Sequence, residues 1–316
     1  MKILVVGKNN IMKWPFKVVK GFSALGHQTD LFVFNQKTFA YCVMRLFGKK
    51  KRLNWLVKKF QKQLENFKPD LIVYVSFAFI PIEFYRVSKH LNIRQVGWAA
   101  DKFYDTQKEK AELLDALFCS DTGYIECAKD FKCPAYYLPL CADLDTFKNE
   151  HLPKVLPPFF AGVANPLRTK YFVACKEKCL LYGKGWDKKL MPWHDIHNQM
   201  LSQKQMQHLI NQSVAPINIC FSPNIINGLN FRVFEVSACG GLIVINKESS
   251  DLALCYEIGK EAVTYSDEQD FNLLVSDIAK NPEKYEKIAK AGYERTIKNH
   301  TYTVRLSQML SYIEKN

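Results

Sequence analysis

Between residues 223 and 246 the chain reads Pro-Asn-Ile-Ile-Asn-Gly-Leu-Asn-Phe-Arg-Val-Phe-Glu-Val-Ser-Ala-Cys-Gly-Gly-Leu-Ile-Val-Ile-Asn, and no other stretch is so well suited to hold a charged ligand. A glycine turn at Gly228 precedes spacing that predicts a helix over 231–239. The Gly240-Gly241 pair ends that helix, and 242–245 reads as a buried strand. A helix start after a glycine loop offers unpaired backbone N–H groups and the positive end of its dipole to an anion, and Arg232 adds a cation in the first turn. One turn further on, the Glu235 carboxylate can accept both hydroxyls of a ribose. The chemistry implied is recognition of a nucleoside diphosphate.

A second candidate lies far upstream. Asp101 directly follows the run Val96-Gly97-Trp98, and in open parallel sheets the carboxyl ends of strands line the ligand crevice. Such an aspartate can act as a general base toward an attacking hydroxyl, although an aspartate after a strand also commonly caps the next turn. Metal chemistry has weaker support. His194 with His197 and Cys175 with Cys179 have ligand-like spacing but no matching second pair, so no metal site is assigned. Asp143 and Asp145 resemble a metal-binding pair, yet they lie after a predicted strand, where capping or hinge duty suits them better. The loop Gly7-Lys8-Asn9-Asn10 lacks GxGxxG spacing, which removes the main support for a dinucleotide site at that end.

The elements that must position these residues alternate regularly. Apolar runs at 3–6, 31–34, 70–75, 95–98, 116–119 and 135–138 read as strands, with helices over 15–25, 38–67, 82–91 and 122–131 between them. Alternation of this kind indicates a parallel sheet with right-handed crossovers. A proline-bearing stretch from Pro139 to Pro158 then marks a domain boundary. The second half repeats the alternation with strands at 159–163, 180–182, 214–219, 242–245 and 262–264, and helices at 202–211, 268–279, 282–298 and 303–313.

With 316 residues, 48% of them hydrophobic, the chain can bury a sizeable core and fits roughly two domains. The first apolar run is too short for a signal segment and no run approaches a bilayer span, which points to a cytoplasmic protein. Ten cysteines scattered without a CxxC pair read as reduced thiols. The formal charge of +13 is uneven: residues 31–64 contain nine basic and no acidic residues. In 38–67, Phe39, Tyr41, Met44, Phe47, Trp55, Leu56 and Phe60 interleave with that charge. The pattern fits an interfacial surface against anionic membrane through residues 37–62, with a peripheral location, or equally an amphipathic helix pair with core aromatics and solvated lysines. Nucleic acid ranks third, because no recognised motif accompanies the charge.

Several motifs occur in a telling order: Val96-Gly-Trp-Ala-Ala-Asp101, Phe118-Cys-Ser-Asp-Thr-Gly123, Tyr137-Leu-Pro-Leu-Cys-Ala-Asp143, Phe160-Ala-Gly162 with Arg168, Leu181-Tyr-Gly-Lys-Gly-Trp186, and Gly228-Leu-Asn-Phe-Arg232-Val-Phe-Glu235-Val-Ser-Ala-Cys-Gly240. Together they resemble the CgeB-like glycosyltransferases, bacterial GT-B proteins related to a spore-maturation protein. The resemblance implies an α/β GT-B fold in which two Rossmann-like domains, 1–145 for the acceptor and 146–300 for the donor, face a central cleft. A C-terminal helix within 301–316 returns to the first domain in many proteins of this fold. It also implies a hexosyltransferase-type enzyme of cell-surface glycan synthesis. The donor is a nucleotide-diphosphate sugar, the acceptor a glycan, lipid-linked molecule or protein, and neither cofactor nor metal is required.

Carried over by position, Gly162, Gly228, Leu229, Asn230, Phe231 and Arg232 face the donor, with the diphosphate at 228–232, and Glu235 faces the ribose. Arg168 and Arg232 stabilise the leaving diphosphate and Asp101 serves as the base. A nucleotide-sugar epimerase and a non-catalytic binding protein are the alternatives. Retaining enzymes of this fold with an E-x7-E motif have a glutamate where this chain has Asn227, so that evidence for a retaining course is absent.

Overall fold

The structure is a computed structural model that describes residues 1–10, 12–35, 38–220, 224–247 and 249–315. The chain divides into two compact units, one comprising Met1–Pro139 with Tyr302–Asn316 and the other Leu140–Thr301.

The first unit is built on a six-stranded parallel sheet of β1 (Lys2–Gly7), β2 (Gln28–Val33), β3 (Leu71–Val75), β4 (Arg94–Ala99), β5 (Ala116–Cys119) and β6 (Ala135–Tyr137), in the order β2-β1-β3-β4-β5-β6. The apolar runs of β1 and β3 are buried on both faces, as a parallel sheet covered by helices requires. After β2 pairs with one edge of β1, the chain crosses to pair β3 with the other, so the topological switch lies between β1 and β3. At the end of β1, a Cβ on Gly7 would lie 2.4 Å from the Pro15 ring, so glycine lets the following helix Trp14–Ala24 close on the strand.

The region 38–67 forms two helices, Phe39–Leu46 and Gly48–Phe67, separated where Gly48 adopts a φ of 84°. The longer helix buries Leu56, Phe60 and Leu64, and Phe60 packs 5.0 Å from the rings of both Phe32 and Phe84. Tyr41 and Trp55 pack partly against this core, but the shorter helix buries none of its residues. Lys37 lies outside the described residues. The last helix, Tyr302–Lys315, belongs to the first unit. Arg305 Nε donates to the Pro139 carbonyl at 3.0 Å, Arg94 Nη2 donates to the Ile313 carbonyl at 2.6 Å, and the Tyr312 ring stacks on Tyr136 at 4.9 Å.

The second unit has two three-stranded parallel sheets. One contains β7 (Phe159–Ala161), β8 (Leu180–Tyr182) and β9 (Asp195–His197); the other contains β10 (Ile217–Asn218), β11 (Val244–Asn246) and β12 (Val263–Tyr265). A parallel bridge between Phe159 and Pro216 brings the β7 and β10 edges together. Phe160, Leu181, Ile196, Ile217 and Val244 contribute to one apolar core. The helix Gln203–Gln212 starts with a capping box between Ser202 and Gln205. Asp143 accepts from Asp145 N–H and from the Thr146 hydroxyl, a turn-capping arrangement. Among the described residues no helix is long and apolar enough to cross a membrane, and the ten cysteines are free thiols.

Candidate functional site

A helix is present over Phe231–Ala238, where the spacing predicts one, and its C-terminal turn explains the glycine pair. Gly240, at a φ of 69°, donates to the Ser237 carbonyl, and Gly241 donates to the Val236 carbonyl at 2.9 Å. This Schellman closure releases the chain directly into β11. At the other end Asn230 occupies the N-cap position, yet its side chain caps no N–H of the first turn. Its amide instead exchanges two hydrogen bonds with Asn218 at the end of β10, at 3.0 and 3.1 Å. Asn246 at the end of β11 accepts from Cys220 N–H at 2.8 Å, and the Tyr265 hydroxyl donates to the Asn218 carbonyl. Helix entry and strand ends are thereby tied together, with the Asn230 side chain turned from the first turn to the strand end. Gly228 and Leu229 are buried in the loop leading into the helix; Pro223 and Glu248 lie outside the described residues.

Two arginines converge on the carboxyl end of β7. Arg232 Nη1 donates to the Ala161 carbonyl at 3.1 Å, and Arg168 Nη1 donates to the Val163 carbonyl at 2.7 Å. Gly162 sits between these acceptors, and its lack of a side chain admits the second guanidinium, since a Cβ there would lie 3.2 Å from Arg168 Nη1 and 2.9 Å from the Phe160 ring. The same ring underlies the guanidinium of Arg168 at 5.3 Å. The helix Pro166–Ala174 that carries Arg168 begins two residues before it, with the Asn165 side chain accepting from Arg168 N–H. Burial lowers the pKa of Arg168, and the neighbouring positive charge of Arg232 lowers it further. Burial also lowers that of Arg232, against the raising influence of Glu235. Like charges held this close in partly desolvated surroundings favour an anion between or beside them.

Glu235 is only 4% exposed, and its Oε2 lies 3.6 Å from Arg232 Nε. Arg232 therefore donates one nitrogen to Ala161, while its Nε, an ion-pair neighbour of Glu235, makes no hydrogen bond among the described residues.

The turn after β8 supports this floor. Gly162 N–H donates to the Tyr182 carbonyl, Trp186 Nε1 donates to the Gly162 carbonyl at 3.0 Å, and Gly183 has a φ of 128°. A Cβ on Gly183 would lie 2.0 Å from the Gly162 carbonyl oxygen. Gly183→Ala is expected to cost about 1–3 kcal/mol of stability and to displace the Arg168 anchor; an unchanged urea midpoint would refute this reading of the turn.

Of the site residues expected from sequence, Gly162, Arg168, Gly228, Leu229, Asn230, Phe231, Arg232 and Glu235 all fall in the second unit, on the β7 end and the helix entry, while Asp101 belongs to the first unit. Asp101 follows β4, is half-buried and has no hydrogen-bond or ion-pair partner among the described residues; burial raises its pKa. Sequence reasoning missed Asn218 and Asn246, whose only signal is a polar amide at the end of an apolar strand. The weak zinc candidates have other duties: His194 Nδ1 accepts from Cys179 N–H, and its Nε2 bonds the Phe172 carbonyl.

Residues 164–311 match a family model described as glycosyl transferase-like, while no curated protein matches the chain by sequence. Among solved structures, the lipopolysaccharide outer core galactosyltransferase WaaB superposes with a TM-score of 0.65 at 14% identity, covering 100% of this chain and 99% of that one. The fold is GT-B. The DNA-modifying enzyme β-glucosyltransferase shares it with a TM-score of 0.62 at 11% identity, covering 99% of each chain. So does the UDP-GlcNAc 2-epimerase from Neisseria meningitidis, solved with UDP-GlcNAc, with a TM-score of 0.63 at 10% identity and complete coverage of both chains. Within the GT-B frame, the glycosyl transferase-like match takes in Arg168, Arg232 and Glu235.

Proposed function

We propose that this protein is a glycosyltransferase that moves a hexose from a nucleoside diphosphate to a hydroxyl of a glycan, lipid-linked or protein acceptor. The observation that carries the reading is the convergence of two cations, Arg168 and Arg232, on the carbonyls either side of Gly162 at the end of β7, beside a helix entry whose Asn230 side chain is turned away from the first turn. In the reaction the bond between the anomeric carbon and the β-phosphate oxygen breaks, and negative charge builds on the departing phosphate. Arg168, Arg232 and the N–H groups at 228–232 take up that charge, a role that fixed dipoles and guanidinium groups perform without a metal ion. Glu235 accepts the ribose hydroxyls. Asp101 takes the acceptor proton, for which an unpartnered carboxylate with a raised pKa is well adapted. The ordered motifs support the narrower CgeB-like assignment, and the UDP-sugars named with two GT-B neighbours make a uridine donor the first to try.

Calorimetry and thermal shift with UDP-, GDP-, dTDP- and CMP-sugars test the donor assignment. Binding of at least one diphosphate sugar, with a rise in Tm that grows with concentration, is the expected result. If none binds, the assignment falls. The epimerase neighbour supports a second reading on the same site, epimerisation of the donor itself. Conversion of the donor to its epimer without any acceptor would establish that reading in place of transfer.

A further inference from the structure

We propose that the helix pair Phe39–Leu46 and Gly48–Phe67 docks the protein on the surface of an anionic phospholipid bilayer. The folded chain separates the apolar residues of this segment into two groups. Leu56, Phe60 and Leu64, with Tyr41 and Trp55 beside them, serve the core. Phe39, Leu46 and Phe47 do not: they are 87%, 84% and 55% exposed. Together with Val43 they recur at positions i, i+4, i+7 and i+8, the spacing of an apolar stripe on a helix.

Cations surround that stripe. Lys49, Lys50, Lys51, Lys58, Lys59 and Lys62 are exposed, and among the described residues none is in an ion pair. The Lys51 ammonium lies 5.9 Å from the centre of the Phe47 ring and the Arg52 guanidinium 5.6 Å from that of Tyr41, so charge and ring are held together. Because Leu56, Phe60 and Leu64 turn one face of the longer helix inward, Lys51, Lys58 and Lys62 fall on the opposite face. A bilayer with acidic headgroups satisfies both features: hydrocarbon takes up Phe39, Leu46 and Phe47, and lipid phosphates meet the lysines. Nucleic acid satisfies only the second, since Leu46 and Val43 have no π-face on which a base could stack.

Sedimentation of the full chain with phosphatidylcholine vesicles, with and without phosphatidylglycerol, tests the proposal. Binding to the anionic vesicles is expected, weakening as salt rises. Replacing Lys49 and Lys50 by glutamine should weaken it by about fivefold per lysine. Phe39→Ser combined with Leu46→Ser should weaken it while leaving the salt dependence unchanged. These side chains are exposed, so far-UV circular dichroism should be unaltered. Equal binding to neutral vesicles overturns the proposal, as does wild-type binding by the serine variant or tighter binding to duplex DNA than to vesicles. Donor binding in the second unit is measured separately, so failure here leaves the glycosyl-transfer reading standing and failure there leaves this one.

Discussion

Asp101→Asn should slow glycosyl transfer by about 10²–10⁴-fold and at the same time make the folded protein more stable at neutral pH. The two effects share one cause. Burial raises the pKa of the Asp101 carboxyl, and no cation or hydrogen-bond donor among the described residues offsets the cost of ionising it. The folded state therefore binds this proton more tightly than the unfolded chain does. The stability this contributes is complete below the unfolded pKa of about 3.9 and is lost as pH rises through the folded value. Asparagine removes that loss, so the difference in urea midpoint between variant and wild type should be absent in acid and should grow toward neutrality. Donor affinity should be unchanged, because Asp101 belongs to the first unit and the residues proposed to hold the donor to the second. A variant of wild-type activity would remove Asp101 from the mechanism, and a variant less stable at pH 7 would show that its carboxylate has a partner.

Arg232→Ala should reduce turnover by about 10²–10³-fold and weaken both nucleoside diphosphate and inorganic pyrophosphate. Glu235→Gln should weaken only the ligand that carries a ribose. The comparison separates the roles of two residues whose side chains touch, 3.6 Å apart. It also guards against a structural artefact. Removing Arg232 takes a positive charge from beside a buried carboxylate and should itself lower stability, whereas Glu235→Gln keeps shape and hydrogen-bonding capacity. If Glu235→Gln weakens both ligands equally, Glu235 acts only by holding Arg232. If neither variant changes affinity while remaining folded, both residues belong to the framework.

Much of the architecture was legible because parallel sheets announce themselves. Strands covered on both faces read as unbroken apolar runs, and β1, β3 and β5 stand close to where those runs lie. The helix Phe231–Ala238 was legible for another reason: Gly240-Gly241 states its end, and the sequence spacing places Arg232 in its first turn. Strand β9 was not legible, because Asp195-Ile196-His197 alternates over only three residues and is recruited by its pairing with β8. The helix carrying Arg168 starts at Pro166, since Asn165 caps it and proline suits a first turn. Nor could spacing reveal that both arginines would donate to carbonyls flanking Gly162, a convergence that depends on residues 71 positions apart in the case of Arg232. The division of aromatics in 38–67 was equally hidden. Periodicity marks a residue as apolar, but only the packed sheet decides which ring it receives and which it leaves outside.

The last helix has a consequence for how the chain is made. The first unit takes its covering helix from residues 302–315, so its sheet emerges from the ribosome with one face incomplete and stays so until the whole second unit has been synthesised. Gly21 shows how closely that helix is fitted, since a Cβ there would lie 2.6 Å from Leu306 Cδ1. Amino-terminal units usually fold first during synthesis, but the sheet of this one gains its last helix only when residues 302–315 follow.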